Sequence, residues 1–471
     1  GMSNGNFKTP NIDNLAKDGV LCTNGYSSSP ICSPSRASLL TGRFPTRFGY
    51  EFTPTTSSMM KAISLFSKKN EVADGVYYDK REENIIDIEQ MGLPQSEKTI
   101  AEMLKPEGYH NIHIGKWHLG HANDFLPRKH GFDESLRIDQ GSLFLPEDDE
   151  NVINAKLEFD PIDKVLWGNL PYAVNFNEGP RMNPDGHLTD YLTNEAVKVI
   201  EKNKNRPFFL YLAYWAVHSP LQAKKEDYEK LSFIENHDER VLASMVMTVD
   251  RGVGKIRDVL KKNNIDDNTI IIFTSDNGAP GYIGLPDLNK PYRGWKLTHF
   301  EGGVHVPFIV SYPNKIPKGI TYNGRVSNLD ILSTVASVAG VDMDRNDLKE
   351  IEFDGANVLP YLIGENEGEP ERVLFNKSGN YSFIIKEGWK LQVDLVQNKK
   401  WLYNLNEDPT EQINLIKSDL KKLNELEKIL NKKLSEQVKP IWPSLLDWPI
   451  FIDKTLDETV NNNDEYIFWA N

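Results

Sequence analysis

Three short apolar runs, each ending abruptly in ionisable residues, constrain this chain more than any other feature. Residues 110–115 lead into Lys116, Trp117 and His118; residues 207–215 lead to His218; residues 269–275 lead to Asp276, Asn277 and Gly278. The runs are aromatic and β-branched and lack polar alternation, which predicts strands buried on both faces. Helical spacing fills the intervals. Residues 188–202 place Leu192, Ala196, Val199 and Ile200 on one face, and residues 240–263 do so with Val241, Met245, Val249, Ile256 and Leu260. Ser327 with Asp330 opens a third helix as a capping box, and Gly340 closes it. Strands alternating with helices predict an α/β fold with a large, mostly parallel sheet sandwiched by helices. Ligands in such sheets bind beyond the carboxyl ends of the strands, where the ionisable residues fall.

After residue 365 the pattern shifts to strand-like segments at 381–385, 390–396 and 400–403, then an amphipathic helix over 419–438. The expected division is a catalytic α/β domain over 1–365 and a small C-terminal α+β domain over 366–471, consistent with 471 residues being long for one core. Residues 53–90 show no clear periodicity and read as an inserted loop region near the cleft. A net charge of −14, without a dominant basic run, argues against a nucleic-acid partner. No apolar run is long enough for a membrane span. The first residues lack the basic and apolar regions of a signal peptide. Cys22 and Cys32, the only two cysteines, make at most one disulfide.

Cys32 lies in Ser29-Pro30-Ile31-Cys32-Ser33-Pro34-Ser35-Arg36, at the start of a helix that Pro34 favours and Gly42 ends. Unpaired amides, the helix dipole and Arg36 one turn on suit a tetrahedral anion. A lone cysteine there would ordinarily be structural. Asp276 and Asn277 offer two hard oxygen ligands, favouring calcium or magnesium over zinc.

The pattern Cys32-x-Pro34-Ser35-Arg36, with Thr41-Gly42-Arg43 behind it, resembles the signature of the sulfatase family, formylglycine-dependent members of the alkaline phosphatase superfamily. Gly115-Lys116-Trp117-His118-Leu119-Gly120 resembles a second family motif, and the resemblance runs from about Phe7 to about Leu415. It implies that Cys32 is oxidised to formylglycine by a maturation enzyme before folding. It further implies that Arg36 and Lys116 hold sulfate, that His118 serves as base, that His218 with Lys296 protonates the leaving oxygen, and that Asp276 and Asn277 bind the metal. Glu301-Gly302-Gly303-Val304-His305-Val306-Pro307 resembles another family segment, with His305 where arginine is usual; His305 is read as structural. His113, His121 and His130 are read as satisfied or solvated.

Family members begin with a strand ending in two adjacent aspartates that complete the metal site, and residues 1–6 supply neither. Asp13 and Asp18 are poor substitutes. The expectation is a chain starting downstream of that strand, with weak or absent Ca2+ (Mg2+ second) and activity lowered accordingly. The implied activity is hydrolysis of sulfate esters, on a sulfated carbohydrate or aryl sulfate. The alternatives are a phosphodiesterase or phosphonate hydrolase of the same superfamily, and an inactive sulfatase-like glycan-binding protein. A periplasmic or secreted location is the expectation for the natural protein.

Overall fold

The computed structural model describes residues 7–66, 71–83, 85–138 and 141–471; the first six residues, weighed above for a leader, lie outside it. The chain adopts an α/β fold with a smaller C-terminal domain. One sheet has the order Arg181–Met182, Val174–Phe176, Glu134–Ile138, His110–Lys116, Phe208–Ala213. The His110–Lys116 strand runs parallel to both of its neighbours. A second sheet has the order Ile271–Thr274, Phe308–Ser311, Val20–Tyr26, Ile320–Ser327. Here Phe308–Ser311 is antiparallel to both neighbours, and Val20–Tyr26 is parallel to Ile320–Ser327.

The described strands thus make two mixed sheets, where one large, mostly parallel sheet was expected. The apolar runs reported burial, and burial carries no information on strand direction. Phe208–Ala213 and Ile271–Thr274 are the facing-side edges of the two sheets and are only half-buried over most of their length. They share cores on both sides. Phe209, Tyr211, Ile270 and Ile272 pack on one, and Phe208, Leu210 and Ile271 on another.

Two successive antiparallel steps make Val20–Tyr26 parallel to Ile271–Thr274, so the segment leading to Cys32 and the one carrying Asp276 leave the second sheet at the same end. The strands before Lys116 and His218 are parallel neighbours in the first sheet. Strand direction thus gathers the ionisable residues within each sheet.

The helices follow their sequence signals. Leu188–Asn203 and His237–Lys262 form, the latter capped by Asn236, whose side chain accepts from Glu239 N at 3.0 Å. Asp330–Ala339 starts slightly later than the capping box implied: the Asp330 carboxylate accepts from Ser327 N at 2.7 Å, and Gly340 closes the helix at φ 73°. Residues 53–90 differ from the loop expectation, because Ser57–Phe66 is helical and buries Met60 and Ile63, while Val76–Tyr77 pairs with Leu446–Phe451. The second signal could not be read locally, since the partner strand is far along the chain.

Leu374–Ser378, Tyr381–Lys386, Trp389–Asp394 and Lys399–Asn404 form an antiparallel meander, covered by Leu420–Ser435 through Leu426 and Leu430. It is tied to the α/β part by a buried ionic cluster. Lys390 Nζ lies 2.7 Å from Glu301 and 2.9 Å from Glu411, Glu411 accepts from Glu301 N at 2.6 Å, and Tyr26 donates to Glu301 at 2.9 Å. One lysine faces two carboxylates. Burial outweighs Lys390 and pushes Glu411 up from 4.5 to about 7.

Lys390→Met leaves both carboxylates buried without their cation and is expected to cost about 3–5 kcal/mol in urea unfolding. The raised Glu411 value means that the folded chain holds a proton which the unfolded chain releases near 4.5. Its stabilising contribution is full below that pH and is lost as pH rises through about 7. Glu411→Gln is expected to remove this component, so the difference between wild-type and variant urea midpoints changes between pH 4 and pH 8.

Candidate functional site

Ser27 to Ile31 carries the chain from the second sheet into the Cys32–Thr41 helix, which begins at Cys32, buries every residue and ends at Gly42 with φ 64°. Cys32 is thus in the first turn, at the positive end of the helix. Arg36, one turn along, reaches across both sheets. Its Nε and Nη2 bond Asp276 Oδ2 at 2.9 and 2.7 Å, and its Nη1 donates to Lys116 O at 3.2 Å and to the Tyr211 hydroxyl at 3.3 Å.

Lys116 is 2% exposed. Its ammonium lies over the Trp215 ring, 4.7 Å from the centroid, and His218 is stacked on the same Trp215 at 4.3 Å. Lys296 Nζ stands 3.4 Å from His218 Nε2 and 3.0 Å from the Tyr282 hydroxyl. His218 Nδ1 lies 2.8 Å from the Ser219 carbonyl. A carbonyl only accepts, so the ring proton sits on Nδ1 and Nε2 presents its lone pair to Lys296.

Burial alone would raise the Cys32 thiol, but Lys116 and Lys296, with a hydrogen bond from His118, outweigh it and hold the thiol well below its ordinary value. The same burial, reinforced by nearby cations, lowers His118 to about 3 and His218 to about 4, so both imidazoles are neutral at neutral pH. Lys116 falls to about 8 through burial and the adjacent Arg36. Lys296 rises despite its burial because Cys32 and Tyr282 favour its cation. The structure brings Cys32, Arg36, Lys116, His118, His218, Lys296 and Asp276 into one connected cluster. Asn277 follows Asp276, its Nδ2 donating to Gly278 O at 2.8 Å.

The metal pair can be tested against its own geometry. Asn277 Oδ1 is buried without a hydrogen-bond partner, the condition of an oxygen that suits a cation, and Asp276 supplies a carboxylate. The donor chemistry fits a hard divalent ion. Yet Asp276 Oδ2 is already engaged by Arg36, and among the described residues no group of three or more His, Cys, Asp or Glu could hold a metal. Calcium takes six to eight oxygens.

Several neighbours carried no sequence signal. Tyr282 and Tyr211 are ordinary in sequence and become visible only when the loops meet. Trp215 could have been found, since it ends an apolar run three residues before His218. Of the other histidines, His113 bonds Ser135 at 3.0 Å, and His305 bonds Thr23 O at 2.9 Å, in keeping with structural roles. His130 differs from the expectation: it is fully buried, and neither ring nitrogen has a hydrogen-bond partner. Its ring packs against Trp117, and burial lowers it to about 4, which keeps it neutral.

A helix-borne cysteine ringed by basic side chains at strand ends has the chemistry to suit a tetrahedral oxyanion. The sulfatase family profile matches residues 2–341, and the chain belongs to that family. The C-terminal profile of N-sulphoglucosamine sulphohydrolase matches residues 294–440. The chain is 32% identical over 374 residues to human N-acetylgalactosamine-6-sulfatase, covering 76% of this chain and 61% of the relative. It is 28% identical over 467 residues to human steryl-sulfatase, covering 86% and 74%. It thus spans about three fifths of the length of the first of these. Among solved structures, Ps i-CgsB in complex with k-i-k-neocarrahexaose superposes with a TM-score of 0.75 at 30% identity, covering 93% of this chain and 90% of that one.

Asp276→Ala leaves the Arg36 guanidinium buried and unpaired, with an expected cost of about 3–5 kcal/mol in urea unfolding. Asn277→Ala, which loses only the Nδ2 bond to Gly278 O, is expected to cost about 1 kcal/mol in the same measurement. Calorimetric titration is expected to show calcium binding no tighter than about millimolar, because so few oxygens are offered.

Proposed function

We propose that this chain is a sulfatase that hydrolyses sulfate esters of carbohydrates, with Cys32 as the precursor of formylglycine. The observation that carries the reading is the convergence of Arg36, Lys116, His118, His218 and Lys296 on Cys32. Such a ring fits an anion at residue 32 better than it fits a neutral structural thiol. Formylglycine, once formed and hydrated, would supply a hydroxyl nucleophile and a second hydroxyl on the same carbon.

The side chains then divide the work. Arg36 and Lys116 hold the sulfuryl oxygens, the first as a fixed fork and the second as a point charge. His218 Nε2 carries no proton at rest, so the proton for the leaving oxygen is stored on Lys296, with His218 positioned to share it. His118, kept neutral by burial beside Lys116, is suited to accept a proton at residue 32. Asp276 and Asn277 would hold a divalent ion, whose chemistry is polarisation of the sulfuryl oxygens.

The relatives named above support sulfate over phosphate, and the neocarrahexaose seen with Ps i-CgsB supports a sulfated oligosaccharide as the substrate class. The phosphodiesterase reading is not favoured. A maturation enzyme is the partner implied by Cys32.

Coexpression with a formylglycine-generating enzyme is expected to shift the mass of the Cys32 peptide from thiol to aldehyde. That preparation, in millimolar calcium, is expected to hydrolyse sulfated oligosaccharides or 4-nitrophenyl sulfate faster than matched phosphate esters. His118→Ala and Lys296→Ala are expected to lower the rate by roughly 100- to 10,000-fold. Aldehyde-bearing protein that binds sulfated glycans but cleaves no sulfate ester would establish the inactive alternative.

A further inference from the structure

The two histidines of the site are held differently. His218 is fixed through its ring, by the Ser219 carbonyl at 2.8 Å and by stacking on Trp215. The His118 ring is held at one end only, by its hydrogen bond to Cys32, while its Nδ1 is buried without a hydrogen-bond partner. What fixes its other end acts through the backbone.

That backbone is unusual. His118 lies at φ 62°, in the left-handed region that a non-glycine residue adopts only where its surroundings impose it. The carbonyl of this same residue accepts a hydrogen bond from Ser33 Oγ at 2.7 Å. The Tyr50 hydroxyl lies 2.7 Å from Ser33 Oγ and 3.5 Å from His118 O. His118 O can only accept, and Ser33 Oγ at 2.7 Å is far closer to it than Tyr50 at 3.5 Å, so the Ser33 proton goes to His118 O and Tyr50 donates to Ser33 Oγ. Ser33 and Tyr50 are both 0% exposed, which leaves no water to replace either bond.

We propose that Ser33 and Tyr50 are positioning residues, a hydrogen-bonded relay that locks the His118 peptide in its left-handed turn and so aims the imidazole at residue 32. The proposal rests on the reading of residue 32 and His118 as reaction partners. Ser33 is the residue after Cys32, so one turn of helix carries both the reacting position and the anchor for its base. Arg36, three residues on, fixes the Lys116 carbonyl from the same helix face at 3.2 Å. The turn at 116–118 is therefore held at alternate carbonyls. Tyr50 is itself held edge-on against Trp442 at 5.2 Å, which fixes the far end of the relay.

The test uses Ser33→Ala, Tyr50→Phe and Ser33→Thr, the last retaining the hydroxyl. The first readout needs no turnover: in unconverted protein, thiolate absorbance of Cys32 near 240 nm is followed against pH, with Cys32→Ser as the blank. Ser33→Ala and Tyr50→Phe are expected to move that titration toward alkaline pH as His118 swings away, and Ser33→Thr to restore it. The second readout is steady-state hydrolysis by converted protein, where kcat is expected to fall roughly 10- to 100-fold at unchanged KM. Wild-type thiol titrations in both Ser33→Ala and Tyr50→Phe overturn the proposal. If converted wild-type protein hydrolyses nothing, the sulfatase reading fails, and the thiol titrations alone still decide the positioning role. Should Ser33→Ala not fold, Tyr50→Phe, which removes one oxygen from an otherwise unchanged ring, carries the test.

Discussion

The guanidinium of Arg36 is the contact on which the rest of this molecule depends. It joins the end of one sheet, through Asp276, to the end of the other, through the Lys116 carbonyl and Tyr211. The two sheets share cores on either side of Phe208–Ala213 and Ile271–Thr274, but apolar packing is non-directional. A planar fork with fixed donor directions sets the registry that packing leaves open. Because the fork rises from the same helix that begins at Cys32, fixing the sheets also fixes residue 32.

The site gathers basic groups that would repel one another in water, and the fold tolerates them by giving each a different neighbour. Lys116 faces an aromatic ring, Lys296 a phenol, and Arg36 a carboxylate. The ionic cluster at Lys390 solves the opposite problem, one cation between two carboxylates. Both are regions of concentrated charge with little water, and both lie where separate parts of the chain must meet. Glu301 lies five residues beyond Lys296, so the loop bearing Lys296 is anchored at its far end against Lys390 of the C-terminal meander.

Much of this was legible in the sequence because it was local. Apolar runs ending at Lys116, His218 and Asp276 located three strand ends, and Cys32 to Gly42 defined a helix by its proline and its closing glycine. Residues whose meaning depends on a distant partner could not be read that way. Val76–Tyr77 became a strand only by pairing with Leu446–Phe451. Tyr282 became part of the site only because Lys296 reaches it. Strand direction was hidden as well, since a run buried on both faces looks the same whichever way its neighbour points. His130 was misjudged for a related reason: a histidine in a polar stretch reads as wet, and only the fold puts Trp117 against it.

Every residue of the Cys32–Thr41 helix is buried, and this bears on how the protein is made. Any enzyme that modifies Cys32 must handle it as an open peptide, before the sheets and the meander close over it. Modification and folding are then rivals for the same interval, and the helix that holds the site so firmly also sets a deadline. Under the proposed conversion, chains that collapse first would keep a thiol, and the fraction of converted molecules would report on folding speed.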